Sequence, residues 1–418
     1  MVAVAPFRAL RYRLEAVGEL SHVVAPPYDV IDPEEQERLY AASPYNVVRL
    51  ILGKQSSADT EQDNRYSRAR RDYEAWRRDT ILAQDASPSF SLIEHLFTWQ
   101  GLTQRRLGFL GLLELDDASR AGPAPGGVAG VLRHEETLGA PKADRKQLLE
   151  AVPANLSPIF CVYPDPQGGL QAQLTAWAAR GNPKSTARRG DETVRVWVLT
   201  DPAAIRAIQE HLAKVAVLIA DGHHRYEVAS ANRERYGAVM TYFVSMADPG
   251  LRVQPIHRLV QPPAPADVAH LDSMASATPA QDLDTLLAWL NAEHQGRFGC
   301  AVGQSLYQVE IRPERRAQWL RQAPEPAPLA TLDVSMLHGL IFPALGIQPG
   351  QLSYTADAVE AASAAAGGRA AMAWLMRGLP VEQVYDVAAH GVTLPPKSTY
   401  FYPKVWSGLA FNPFAAGS

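Results

Sequence analysis

The clearest apolar signal in the chain is Val215-Ala216-Val217-Leu218-Ile219-Ala220, a continuous run of the length expected of a buried strand. Phe90–Ile93 and Arg106–Glu114 read as strands around a turn at Gln100-Gly101, and 158–163 and 193–200 as two more. Residues 61–83 carry Tyr66, Tyr73, Trp76 and Ile81 among many charges, a pattern that predicts an amphipathic helix. Asp32-Pro33-Glu34-Glu35 and Asp201-Pro202 have the form of helix starts, an acidic cap followed by proline in the first turn. The second opens a helix over about 202–213. Helices are also expected near 170–179, over 332–345 and, Ala-rich, over 357–366. Val23–Val30 reads as a strand running into Pro26-Pro27, Tyr45–Leu52 as a strand stopping at Gly53, and 394–411 as a strand region. The interleaving of the two periods predicts a mixed α/β (α+β) fold.

Three stretches break the pattern: Ala121–Gly130, rich in Gly, Pro and Ala; residues 261–280; and Gln322–Ala330, with Pro324, Pro326 and Pro328 at alternate positions. At about 150 residues per domain, 418 residues suggest two to three domains. The expected division is an N-terminal α/β region (1–120), a core (121–262) and a C-terminal α/β region (263–418) that returns to the site. No internal repeat is present.

Composition narrows the function. Hydrophobic residues are 47% and charged residues 20%, ordinary for a chain that buries a core. The formal net charge of -4 provides no general attraction to nucleic acid or anionic membrane, although a local basic cluster could hold one phosphorylated metabolite. Cys161 and Cys300 are far apart and lack CxxC partners, which argues against a disulfide scaffold or a cysteine zinc site and fits a reducing cytosol. The short apolar N-terminus does not read as a signal peptide, and no segment approaches bilayer-spanning length. A cytoplasmic protein acting on a small molecule is expected, with neither nucleic acid nor membrane as partner.

The candidate chemistry lies where the apolar run ends, in Asp221-Gly222-His223-His224-Arg225. Gly222 permits a sharp turn and close approach of a ligand to backbone. The following helix begins with free N–H groups and a positive dipole end, which favour an anion. Arg225 suits bidentate phosphate recognition. Asp221 could orient a hydroxyl, hold a metal ion or fix a histidine tautomer. Adjacent histidines at a helix start rarely share a metal, and the spacing of a histidine metal site is absent. A bland reading, a turn followed by surface or core histidines, is outweighed by the concentration of these residue types.

Two further segments are candidates. Arg133-His134-Glu135-Glu136-Thr137, followed by Lys142, Asp144, Arg145 and Lys146, sets a carboxylate in a basic cluster, as a general base near a phosphoryl group needs. Alone it would read as a solvated charged loop. Lys397-Ser398-Thr399, within Leu394–Lys404, offers an ammonium and two hydroxyls but lacks the glycine lead-in of a P-loop. Alone it would read as a surface turn.

Together these segments carry a resemblance. Ala25–Ile31, Ala220–Tyr226 and Pro396–Lys404 resemble signatures of domain-of-unknown-function family one-thousand-and-fifteen, and His134-Glu135 with Thr137, and Leu332-Asp333-Val334 with Leu337-His338, also fit its pattern. The resemblance runs from residue 1 to near 411. Residues 128–262 also resemble the ParB/sulfiredoxin-like fold, whose free-serine kinases carry a similar Asp-Gly-His-His-Arg loop and an upstream His-Glu. Sulfiredoxin itself is disfavoured, since no cysteine stands in Gly222-His223-His224-Arg225.

The resemblance implies a ParB/sulfiredoxin-like core with family-specific N- and C-terminal regions. It also implies phosphoryl transfer to the hydroxyl of a small metabolite, free L-serine favoured, with ATP, ADP or pyrophosphate as donor together with Mg2+. Glu135 would be the base. Asp221 would orient the hydroxyl or ligate Mg2+, with His223 as the third catalytic candidate. Gly222, His224, Arg225, His134, Thr137, Lys397, Ser398 and Thr399 would hold the donor. The competing readings are a non-catalytic nucleotide-binding ParB-like regulatory or segregation protein, and a phosphate-ester hydrolase with His223 as nucleophile. No recognisable basic helix-turn-helix supports the former.

Overall fold

The computed structural model of the protein describes residues 1–115, 130–136, 139–263, 268–292, 295–395 and 397–414. The fold is mixed α/β. The chain forms two compact units, Met1–Leu251 with Pro403–Ser418, and Arg252–Tyr402. The second unit is thus inserted between two pieces of the first.

In the first unit the described residues form a nine-stranded sheet. Its order is Val131–Leu132, Val217–Asp221, Ile159–Tyr163, Ala238–Ser245, Leu102–Glu114, Phe90–Trp99, Glu192–Leu199 and Ser185–Arg189, with Val4–Ala5 also against Leu102–Glu114. Strands on both sides of the expected division near residue 121 therefore share one sheet, because Leu102–Glu114 pairs with Ala238–Ser245. Helices Gly169–Ala178 and Pro202–Leu212 pack Leu170, Leu174, Ile208 and Leu212 onto the sheet's Phe109, Ile159, Val217 and Phe243. Burying such side chains stabilises by about 1.5–3 kcal/mol each.

Most strong periodicities form the expected element type. The amphipathic helix runs Arg65–Arg78, capped by Asn64, and Asp32 and Asp201 each cap the helix expected after them. Tyr45–Leu52, expected as a strand, instead contains the helical turn Val48–Ile51. Asn46 decides this locally: its side-chain oxygen accepts from Val48 N–H, while its amide donates to the His22 and Val24 carbonyls. Val23–Val30 makes only a single bridge, Ala25 with Ser407, flanked by short 3-10 turns. The expected connector over 261–280 contains the strand Ala275–Ala280, and the proline-rich stretch ends in the helical turn Ala327–Ala330. Of the connector Ala121–Gly130, residues 121–129 lie outside the described residues.

The second unit is a six-stranded antiparallel sheet in the order Ala275–Ala280, Ser305–Ile311, Arg297–Val302, Met372–Leu375, His257–Val260, Leu352–Thr355. One face packs Leu259, Ala301, Ala373 and Leu375 against helices Leu283–Asn291 and Ala358–Ala366. On the other, Trp374 meets Phe342 of the helical run Asp333–Ala344 edge-on, ring centroids 6.1 Å apart. That run contains a π-helical turn at Leu337–Ile341. The unit's ends pair with each other, Arg252–Gln254 antiparallel to Tyr400–Tyr402.

Candidate active site

The site is built at one end of the first sheet. Val131–Leu132 and Val217–Asp221 are parallel, with Leu132 opposite Leu218. Both strands therefore deliver the residues at their C-terminal ends, His134-Glu135 and Asp221-Gly222-His223, to the same carboxyl edge, where open α/β sheets form ligand crevices. Ile159–Tyr163 runs antiparallel to Val217–Asp221, so its N-terminal end, with Pro158 and Ser157, reaches that edge too. A register shift between Ile219 and Asp221 marks a bulge just before the turn, a device that re-aims side chains.

Gly222 makes the turn with φ 95° and ψ 28° and opens the helix His223–Ala231 with no side-chain cap. A Cβ there would lie 2.9 Å from Ile159 Cγ2 and 3.0 Å from Arg225 Nη2, so space and backbone both require glycine. The N–H groups of the helix's first turn have no acceptor within the helix.

Asp221 anchors two cations. Arg225 Nη2 donates to its Oδ2 at 2.6 Å, and Lys404 Nζ donates to its Oδ1. Arg225 Nη1 also donates to the Pro158 carbonyl. The three side chains are 12–15% exposed. Burial alone would raise the Asp221 pKa, but Lys404 and Arg225 reverse that and hold it near 2. Lys404 was not among the site residues expected from sequence. It comes from the returning segment after Tyr402, which is fastened by the Ala25–Ser407 and Leu10–Phe411 bridges and a Ser157–Ser407 hydroxyl pair.

Glu135 approaches His223, Oε2 to Nδ1 at 3.8 Å, and remains 39% exposed on its side chain. The His134 and His223 rings meet edge-on with centroids 4.7 Å apart. Burial lowers both: His134 to about 4, opposed by a hydrogen bond to the Ile219 backbone, and His223 well below the ordinary value, with His134 adding to the effect. Both rings are neutral at pH 7. His223 Nε2 is closed off from water and has no hydrogen-bond partner among the described residues, which disfavours His223 as a nucleophile. His224 is half-buried, and burial lowers its pKa against the pull of Glu227.

The expected basic cluster divides. Arg133 and Lys142 both reach Glu227 on the helix after the turn, at 3.5 and 3.1 Å. The Arg145 guanidinium lies 3.7 Å over the Tyr28 ring and donates to the Ile51 carbonyl and to Asp144, and it lines the same cavity as Arg225. Lys146 approaches Glu150 at 3.8 Å on the surface. Beneath Arg225 is a cavity of about 60 Å³ lined by Leu148, Ser157, Val228 and Val239. It has room for on the order of four waters.

Thr137 lies outside the described residues. Lys397, Ser398 and Thr399 belong to the second unit, where Ser398 Oγ donates to the Pro395 carbonyl at 2.6 Å. The expectation that Asp221 ligates Mg2+ does not fit the geometry. Both its oxygens are engaged by cations, and among the described residues no three His, Cys, Asp or Glu side chains gather to hold a metal.

The model of the family described as "Protein of unknown function (DUF1015)" matches residues 4–335. The chain belongs to this family. No protein with a curated description matches it. Among solved structures it is similar to a conserved hypothetical protein from Pyrococcus furiosus, at 12% identity and TM-score 0.30, covering 65% of this chain and 86% of that one. It is also similar to a free serine kinase in complex with AMP, at 14% identity and TM-score 0.32, covering 65% and 83%. A third is C-terminally truncated SbnI from Staphylococcus aureus, at 10% identity and TM-score 0.35, covering 71% and 85%. Among the described residues no helix is long and apolar enough to cross a membrane.

Proposed function

We propose that the protein is a phosphotransferase that moves a phosphoryl group from a nucleotide or pyrophosphate to the hydroxyl of a small metabolite, free L-serine favoured. The observation that carries this reading is the meeting of Glu135 with the uncapped, cation-flanked turn at Gly222 on one sheet edge. Phosphoryl transfer needs mainly positioning and charge neutralisation. The helix N-terminus and Gly222 backbone hold the donor phosphate. Lys404 and Arg225, fixed by Asp221, neutralise charge that develops on it.

Glu135, exposed enough to meet substrate, accepts the proton of the attacking hydroxyl. Neutral His223 sets the carboxylate's position through Nδ1, and His134 braces His223 from the other side. Asp221 acts as the anchor of the two cations, and no step passes through a protein-held metal. Lys397, Ser398 and Thr399, expected from the sequence as donor contacts, belong to the second unit and take no part in this reading.

The test is a donor-by-acceptor screen with purified protein. ATP, ADP and pyrophosphate are each paired with L-serine and other small alcohols, and phosphorylated product is read by mass spectrometry. O-phosphoserine is the expected product. No phosphorylated alcohol from any pair would refute the transferase reading. Release of inorganic phosphate from phosphomonoesters alone would replace it with hydrolysis.

A further inference from the structure

Among the described residues of the second unit, one buried cation has no carboxylate partner. Arg258 is 1% exposed and lies directly across from Tyr354 on one neighbouring strand and Trp374 on the other. It shares with Trp374 the sheet face that packs against the Asp333–Ala344 run. Its Nε donates to His338 Nε2 at 3.4 Å, its Nη1 to the Ile256 carbonyl and its Nη2 to the Lys397 carbonyl at 3.4 Å. All three acceptors are uncharged: burial, with Arg258 nearby, lowers His338 to about 4. No carboxylate among the described residues pairs with Arg258. Asp333, on the covering helical run, is committed to Arg377 Nε at 2.6 Å and Gly296 N–H at 2.7 Å. Buried charges are ordinarily paired, because leaving one without a counter-charge is among the costliest arrangements in a fold.

A second observation is independent of charge. The Trp374 indole N–H, on a fully buried side chain, has no hydrogen-bond acceptor among the described residues. Two donors that lack an anionic or any acceptor thus stand on facing positions of paired strands, where side chains are neighbours. Two sequence motifs left over from the transfer reaction also meet here. Leu337-His338 supplies the acceptor for Nε from within a π-helical turn, a feature frequent at functional sites. The Lys397-Ser398-Thr399 segment supplies the third acceptor, with Lys397 at φ 57°, a left-handed conformation that lysine rarely adopts.

We propose that the second unit contains a site for a small oxyanion, the carboxylate or phosphate group of a metabolite, held by the Arg258 guanidinium and the Trp374 N–H beneath the Lys397–Thr399 segment. The Lys397 carbonyl, at 3.4 Å, is beyond usual hydrogen-bond length and is the acceptor that the oxyanion replaces. A guanidinium fork gives such a group two parallel hydrogen bonds, which a carbonyl cannot match. The exposed Lys397 side chain adds positive charge at the mouth. The site stands apart from the transfer reaction and survives if that reading fails.

Calorimetry on the full chain, with inorganic phosphate and separately with sodium acetate, tests it. Wild type is expected to show two phosphate-binding events, one in each unit. Arg225→Ala weakens one, and Trp374→Phe and Arg258→Lys each weaken the other by about tenfold or more, as expected for a lost hydrogen bond to a charged group. Acetate heat that disappears in Trp374→Phe identifies a carboxylate site; heat from phosphate alone identifies a phosphoryl site. Phosphate and acetate heats unchanged in both second-unit variants would overturn the proposal. Should those variants fail to fold, hydrogen–deuterium exchange on wild type decides. Either anion slows exchange at Lys397–Thr399, and unchanged exchange with both overturns the site.

Discussion

Arg225 and Lys404 in the first unit and Arg258 in the second are cations largely withdrawn from water, and the chain treats them in opposite ways. The first pair shares a carboxylate, Asp221, that the fold itself supplies. Among the described residues Arg258 has only neutral acceptors. A resident carboxylate makes a cationic site that is rigid and ready before substrate arrives. A cation without one leaves an interaction open, so that its environment is completed by what binds.

The comparison makes the first unit's edge the chemical one, and Glu135→Gln tests that most severely. An isosteric amide cannot take a proton, so turnover should fall by about 10²-fold or more while donor binding stays near wild type. Turnover close to wild type would remove Glu135 from the mechanism.

Acid should act on the two regions differently. Histidines buried in the neutral form exist in both, with His134 and His257 each near 4. Between pH 6.5 and 4 the unfolded chain binds protons that the folded chain refuses, so stability falls with pH across that window. The loss is about 3 kcal/mol for each of these two groups. From about pH 4 towards 2 the first region also has its buried carboxylate anchor to lose. There Asp221 keeps its charge in the fold to about 2, so its stabilisation, present above the unfolded value, vanishes as pH approaches 2. Denaturant midpoints of wild type and Asp221→Asn, measured against pH, should converge over this lower range. A constant gap between them would show that Asp221 does not titrate as an ion-pair anchor.

At neutral pH Asp221→Asn should cost on the order of 3 kcal/mol, because it leaves two shielded cations without their shared anion. Arg225→Ala gives the smallest effect: donor affinity weaker by about tenfold, with L-serine affinity unchanged, in calorimetry with each ligand alone. Equal donor affinity in variant and wild type would make the Gly222 turn structural.

The turn itself was legible because its signals are local. An apolar run, a glycine and the residue types after it all fall within a dozen positions. Glu135 stood out for a related local reason, a carboxylate set in the basic cluster Arg133 to Lys146; that it follows a strand paired with the apolar run was visible only in the fold. Lys404 was mentioned by the sequence only as one more charge in a motif. What brings it to Asp221 is the return of the chain past 252–402, which no window of neighbouring residues encodes. Tyr45–Leu52 was misread because a short apolar stretch suits a strand or a buried helical turn equally; the side-chain bonds of Asn46 chose. Arg145, read from the sequence only as part of the basic cluster around Glu135, is engaged by the Tyr28 ring and the Ile51 carbonyl, contacts that its charge did not reveal.

The 183 positions that separate Asp221 from Lys404 also set a timetable. At about 5–20 residues per second, a ribosome needs roughly 10–40 s to travel from one to the other. Through that interval the nascent first unit has its turn and Arg225 but only half the counter-charge of Asp221. The whole second unit is made in the meantime. The chain therefore acquires the complete charge pattern around Asp221 late in translation, after the inserted unit has been synthesised.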